Sequence, residues 1–233
     1  MCALLAIRHV SGFAGAHQNA RWLPVFLGLA NPSDRALLAA FAVNTAGVAA
    51  GLAGYFSISA ALSMVGAVIA ALALHIFESA ERPAKTHGIH PSFPFFVRSP
   101  YVWLLIAAGL SMWAVSADRN GGIWGASRHA LTVGFVSTMI FAIGQRVLPA
   151  FCGMRVLFNK GLMFGSLAML NLGCLLRVSA EIPAYEGYWT QAWSVLPVSA
   201  VVELAAVTLF AVNLAVTLLR APAHIIRSQE VAA

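Results

Sequence analysis

Apolar residues along this chain do not alternate with polar ones at the strand period, nor do they fall on one face at the helical period. They run on for about 20 residues at a time, and short polar stretches separate the runs. Six runs fall at 36–56, 58–78, 100–117, 129–149, 161–180 and 195–219. A bilayer core about 30 Å thick is crossed by roughly 20 residues at the helical rise of ~1.5 Å per residue. A strand of a transmembrane barrel would show ~10-residue alternation instead. The pattern therefore predicts an all-α fold: a polytopic membrane protein built as a bundle of six transmembrane helices. An amino-terminal arm at 1–35 precedes the six-helix domain at 36–220, and a tail at 221–233 follows it.

Composition narrows the class further. Of 233 residues, 60% are hydrophobic and 9% charged, with a mean hydropathy of +0.82. A soluble domain carries roughly 25% charged residues, which leaves no stretch here for one. The formal charge of +6 and pI near 9.8 are explained by membrane topology rather than by nucleic acid, which is discarded as a partner. Cys2, Cys152 and Cys174 are odd in number and lack C-x-x-C spacing, so they imply neither a disulfide framework nor a zinc ribbon.

Lysine and arginine collect on alternate connections. The arm (Arg8, Arg21, Arg35), the 79–99 connection (Arg82, Lys85, Arg98), the 150–160 connection counted with Arg146 (also Arg155, Lys160) and the tail (Arg220, Arg227) share one side. Only Arg119, Arg128 and Arg177 are assigned to the other. Because positive residues stay cytoplasmic, both termini are expected in the cytoplasm. Residues 1–7 are too short to span and lack the basic segment of a signal peptide. The stretch 42–47 resembles 169–173, and 7–15 loosely echoes 145–153. A parallel four-helix repeat would make the arm the end of a missing helix; the simpler reading is that apolar helices look alike.

Polar residues inside the runs are the candidates for chemistry, since they are costly in hydrocarbon and face the bundle interior. His129, at the start of the fourth run, suits either haem iron or copper as a neutral imidazole, or a plain interfacial position bonded to headgroups or water. Glu203 is read as the sole carboxylate deep inside a run, with Arg177, Arg128 or Asn171 as partners for an ion pair, a proton relay or a structural bond. Asn44, Asn171 and Asn213 are expected to donate interhelical hydrogen bonds. Gly47, Gly51 and Gly54, and Gly161 with Gly165, are expected to permit close helix contact. His9, His17, His75, His87, His90 and His224 fall on the cytoplasmic side; the pair His87 and His90 has only the weak H-x-x-H spacing. No nucleotide-binding, nucleophile-elbow, zincin or c-type haem motif occurs.

The segment 128–151 reads Arg128, His129-Ala-Leu-Thr-Val-Gly134, then Thr138-Met-Ile140, Gly144, Arg146, Pro149 and Phe151. In this it resembles the NnrS family, most clearly over about 100–220. The resemblance implies a bacterial inner-membrane protein that binds haem b and copper, is linked to nitric oxide and nitrosative stress, and is distantly similar to the catalytic subunit of haem-copper oxidases. Carried onto this chain residue by residue, it makes only His129 a ligand, the axial one; Arg128 or Arg177 is the expected partner of the haem propionates, since guanidinium forks suit carboxylates. Typical members have about twice as many spans, and further histidines of the pattern are replaced here by 98–101 and 151–153.

Two functions follow as expectations. One is a haem-binding, NnrS-like protein that tolerates or senses nitric oxide. The other is a transporter, channel or assembly factor with a polar path through Glu203, Arg177 and Asn171. The lipid bilayer is the expected surrounding, with a homo-oligomer or a separate first-half subunit as the further partner. A reporter fused to the carboxyl terminus is predicted to read cytoplasmic; a periplasmic signal would overturn the orientation.

Overall fold

The computed structural model describes residues 27–84, 86, 88–152 and 157–220. The stub and echo at 1–15, the tail from 221, Cys2, Arg8, His9, His17, Arg21, Lys85, His87, Arg155, His224 and Arg227 lie outside the described residues. Six helices are each long and apolar enough to cross a membrane: α1 (Asp34–Leu52), α2 (Phe56–Ala73), α3 (Phe93–Ala117), α4 (Gly122–Phe151), α5 (Lys160–Tyr185) and α6 (Ala192–Leu219). The described residues contain no strand.

Several helix ends differ from the apolar runs, and each difference moves a polar residue. α2 stops at Ala73 because His75 takes a left-handed φ of 54°. His75 therefore lies beyond the helix instead of inside it, with Nδ1 2.7 Å from Glu78 Oε1. α3 begins at Phe93, since a proline in the first turn lacks only an N–H that would be unpaired there anyway. α4 begins at Gly122 and α5 continues to Tyr185. Arg98 and Arg128, assigned above to connections, consequently lie inside helices, as Arg146 and Arg177 already do within their runs; the bias of the remaining basic residues keeps the same direction.

The described residues divide into two compact units, one running to residue 84 and the other from residue 86. In the first, α1 and α2 form a hairpin packed through small residues. A Cβ on Gly47 would lie 3.2 Å from Leu62 Cβ, and one on Gly51 2.9 Å from Ser59 Oγ, so these glycines set the approach. Asn44 stands against Gly66 but donates to Ala40 O of its own helix at 2.8 Å, not across the hairpin as expected. An in-helix bond satisfies the amide where the neighbouring backbone has no free acceptor.

In the second unit, α4, α5 and α6 pack on one another and α3 lies along α4. The largest buried share is that of α5, 39% of its most apolar window, against 17% for α6. Large apolar side chains such as Val201, Leu204 and Leu219 point outward, while Gln145, Ser166, Asn213 and Thr217 are buried. That inversion suits a helix bundle whose solvent is hydrocarbon. The turn between α3 and α4 is fixed by Asp118, whose carboxylate accepts from Gly121 N at 2.7 Å and Trp124 N at 2.9 Å. Burial alone would raise its pKa, but the N–H of Trp124, the Glu186 side chain and the N–H groups of Gly121 and Ile123 hold it below the usual carboxylate range.

At the opposite end, near 151–160, a closed amide network ties three helices together. Asn213 donates to Gln145 Oε1 at 2.8 Å, Gln145 donates to Ser166 Oγ at 3.2 Å, and Asn213 Oδ1 accepts from Asn159 N at 3.0 Å. Thr217 Oγ1 accepts from Phe158 N at 3.0 Å. Asn213 therefore makes the interhelical bond expected of it. Asn213→Leu leaves Gln145 Oε1 and Asn159 N–H without these partners and is predicted to destabilise the protein by about 1–2 kcal/mol. Thermal unfolding in detergent measures this, and an unchanged midpoint would show the network to be dispensable.

Candidate functional site

Because α4 starts at Gly122, His129 lies about 10 Å inside the helix rather than at its mouth. Directly after it the helix changes form: Ala130–Ser137 is a π-helix, in which each N–H reaches back five residues instead of four. Side-chain hydroxyls follow the wide turn, Ser137 Oγ donating to Thr132 O at 2.9 Å and Thr138 Oγ1 to Val133 O at 3.2 Å.

The His129 ring stands between two carboxylates from different helices. Nδ1 lies 3.9 Å from Glu181 Oε2 on α5, and Nε2 lies 3.9 Å from Glu203 Oε2 on α6. Arg177, one turn before Glu181, brings Nε to 3.4 Å from the same Oε2. Both ring separations exceed hydrogen-bond length, and Arg177 Nε, Glu181 Oε2 and Glu203 Oε1 are buried without a hydrogen-bond partner. The cluster is thus assembled but not closed, unlike the amide network at the other end. With His129 protonated its formal charges cancel; with His129 neutral one negative charge remains.

Two glycines make room for the carboxylates. A Cβ on Gly125 would collide with Glu181 Oε1, and a Cβ on Gly173 would sit 2.5 Å from Glu203 Cγ. Cys174, beside Gly173, donates its thiol to His129 O at 3.9 Å. Trp103 of α3 covers Gly134 in the π segment and donates from Nε1 to Asn171 Oδ1 at 2.9 Å.

Of the residues singled out from sequence, His129, Arg177 and Glu203 meet here. Asn171 does not pair with Glu203: its amide donates to Leu167 O at 2.8 Å and its oxygen serves Trp103. Arg128 is exposed, Asn44 belongs to the first unit, and Arg146 lies further along α4 near the amide network. Glu181 falls one residue past the fifth apolar run, which ends at 180, so hydropathy leaves Glu203 as the sole deep carboxylate, whereas α5 continues to Tyr185 and carries Glu181 into the cluster. Its signal was the spacing Arg177 to Glu181, a pair four residues apart that is favourable only on a continuing helix. Gly161 and Gly165, expected to permit close contact, do not meet a neighbouring helix tightly: a Cβ on Gly165 would lie an ordinary 3.6 Å from Leu209 Cδ1.

The geometry does not fit the metal roles implied by the NnrS resemblance. A ligating imidazole offers one nitrogen to the ion and turns the other to a supporting group. Here the nitrogens face separate carboxylates on opposite edges of the ring, so an ion at either edge meets one imidazole and one carboxylate. Among the described residues no three of His, Cys, Asp and Glu converge for a metal ion. Arg177 is engaged by Glu181, and Arg128 is not joined to the cluster by any ion pair, so no guanidinium clamp for haem propionates is formed.

Residues 25–217 match the family model described as Domain of unknown function (DUF8744), and the chain belongs to that family. No curated protein and no solved structure matches it.

The tight approach at Gly173 generates a paired prediction. Gly173→Ala forces Glu203 to shift and is expected to cost about 1–3 kcal/mol, as overpacking does, whereas Gly165→Ala is expected to cost little. Thermal unfolding of both variants in detergent tests this. Equal midpoints would mean that the carboxylate does not lie against α5.

Proposed function

We propose that the protein is a multi-pass protein of the bacterial inner membrane, with both termini cytoplasmic, that carries protons or a proton-coupled solute through a centre formed by His129, Glu181 and Glu203. The observation that carries this reading is the imidazole held between two carboxylates of separate helices at 3.9 Å each. An ionisable group inside an apolar span is a candidate for an ion or proton pathway. Arg177 compensates Glu181, which leaves His129 and Glu203 to share the exchangeable proton. Histidine suits that role because its charge changes near physiological pH.

The centre lies toward the end of the unit where the 118–121 and 186–191 connections fall. Glu181 is one turn from the end of α5, and Glu186 follows in the connection, its Oε1 accepting from Asn120 N at 3.2 Å. Proton exchange is therefore favoured from that side. Toward the opposite end the described network consists of amides and hydroxyls with their bonds made and contains no carboxylate or imidazole.

The haem-binding, nitric-oxide-linked reading rests on the resemblance at 128–151 and remains the second proposal, with haem b or copper as cofactor. It needs the Glu203 carboxylate to leave Nε2. One preparation separates the two. Purified protein in liposomes with an entrapped pH dye is predicted to pass protons, and Glu203→Gln and His129→Gln to slow the flux by about a hundredfold. A Soret band that disappears in His129→Ala, with no flux from the wild type, would overturn the carrier and establish the haem protein.

A further inference from the structure

α4 has two ends held by different chemistry. Its later part, Thr138–Phe151, is tied by Gln145 into the closed network with Ser166 and Asn213. Its earlier part, Gly122–His129, reaches α5 and α6 through the two 3.9 Å approaches of His129, neither of them a formed hydrogen bond. Between them lies the π segment Ala130–Ser137. A π turn holds the same residues with hydrogen bonds one residue longer, so returning it to α geometry turns one end of the helix against the other by about 100°, the rotation per residue of an α-helix. Such a turn would sweep the His129 ring past Glu181 and Glu203. The hydroxyls of Ser137 and Thr138, bonded five residues back, could follow the change, as could Thr132 Oγ1, already bonded four residues back to Arg128 O at 2.8 Å.

We infer that the π segment is a joint, and that gain or loss of a proton at the His129 centre decides whether it stays π or returns to α. In the charge-balanced state both ring N–H groups draw the carboxylates in, which clamps Gly122–His129 to α5 and α6 and holds the π form. Loss of the proton removes the ring's charge and one of its two N–H donors and leaves one uncompensated carboxylate without a donor, which loosens the hold on Gly122–His129 and lets it turn. The ionisable groups facing His129 are Arg177, Glu181 and Cys174 from α5 and Glu203 from α6. From α3, the residues at this level are Trp103, Ala107 and Ser111, none of which titrates in this range, and Tyr101 is packed edge-on against Phe135. Arg128, next to His129, is exposed. Trp103 over Gly134 gives the joint a flat wall along which a turn can slide.

The inference rests on His129 as a protonatable centre but not on transport. It is tested by hydrogen–deuterium exchange of the full chain in detergent, corrected for intrinsic exchange, at about pH 5.5 and about pH 8. Protection across 130–137 is expected to change by about tenfold between the two, while 138–151 stays constant. Glu203→Gln is expected to abolish the difference, and deletion of Val133, which removes the extra residue of the wide turn, should fix the segment as α at both values. Equal protection at both pH values, or a change spread evenly through 138–151, overturns the joint; if the deletion prevents folding, the Glu203→Gln comparison still decides. A pH-sensitive segment in a protein that passes no protons keeps the joint and removes the carrier. Proton flux with an insensitive segment does the reverse.

Discussion

A polar atom buried among apolar side chains has no water to fall back on, and the second unit of this protein is organised by where such atoms find partners. Its two ends answer that constraint differently. Near 151–160, Gln145, Ser166, Asn213 and Thr217 are buried and their bonds close on one another and on the backbone entering α5. Near 118–129, the side chains that meet are ionisable and stand about 1 Å beyond hydrogen-bond length. A network with all its bonds made fixes helices in place. A cluster with its charges matched but its bonds open can change with a single proton, and this difference is the basis for assigning structure to one end and function to the other.

α5 is the helix on which both ends depend. Ser166, Gly173, Arg177 and Glu181 follow one another at spacings of seven, four and four residues, with Cys174 next to Gly173, and so lie along one face. That single face supplies the hydroxyl of the amide network, the gap for Glu203, the thiol on His129 O, and the ion pair. Its position between α4 and α6 explains why so much of its length is buried. A bulky residue at Gly173 would disturb Glu203 and the packing together, so geometry and stability are coupled at this position.

The resemblance of 128–151 to the NnrS family and the cluster around His129 point to the same residue but to different chemistry. A ligand histidine needs one nitrogen free for the metal, whereas this ring presents both nitrogens to carboxylates. Glu203, standing at Nε2 on α6, makes the difference, and it lies outside the 128–151 segment. A pattern confined to one helix identifies the residue but says nothing about what the neighbouring helices bring to it.

The sequence by itself determined that the chain is helical and apolar enough to cross a membrane six times, because hydropathy summed over 20 residues is a local property that tertiary packing does not alter. It also marked His129, Arg177 and Glu203 as residues needing an explanation, because a charge within an apolar run is visible without any partner. Tertiary structure decided the rest. The extension of α5 through Glu181 and of α4 back to Gly122 depends on what the added turns meet: Arg177, Gly125 and the capping carboxylate of Asp118. Which nitrogen faces which carboxylate, and that Asn171 serves Trp103 instead of Glu203, are set by contacts between residues tens of positions apart. The π turn after His129 is likewise invisible in composition, since Ala130–Ser137 has the apolar character of any spanning segment, and only its hydrogen-bond register sets it apart.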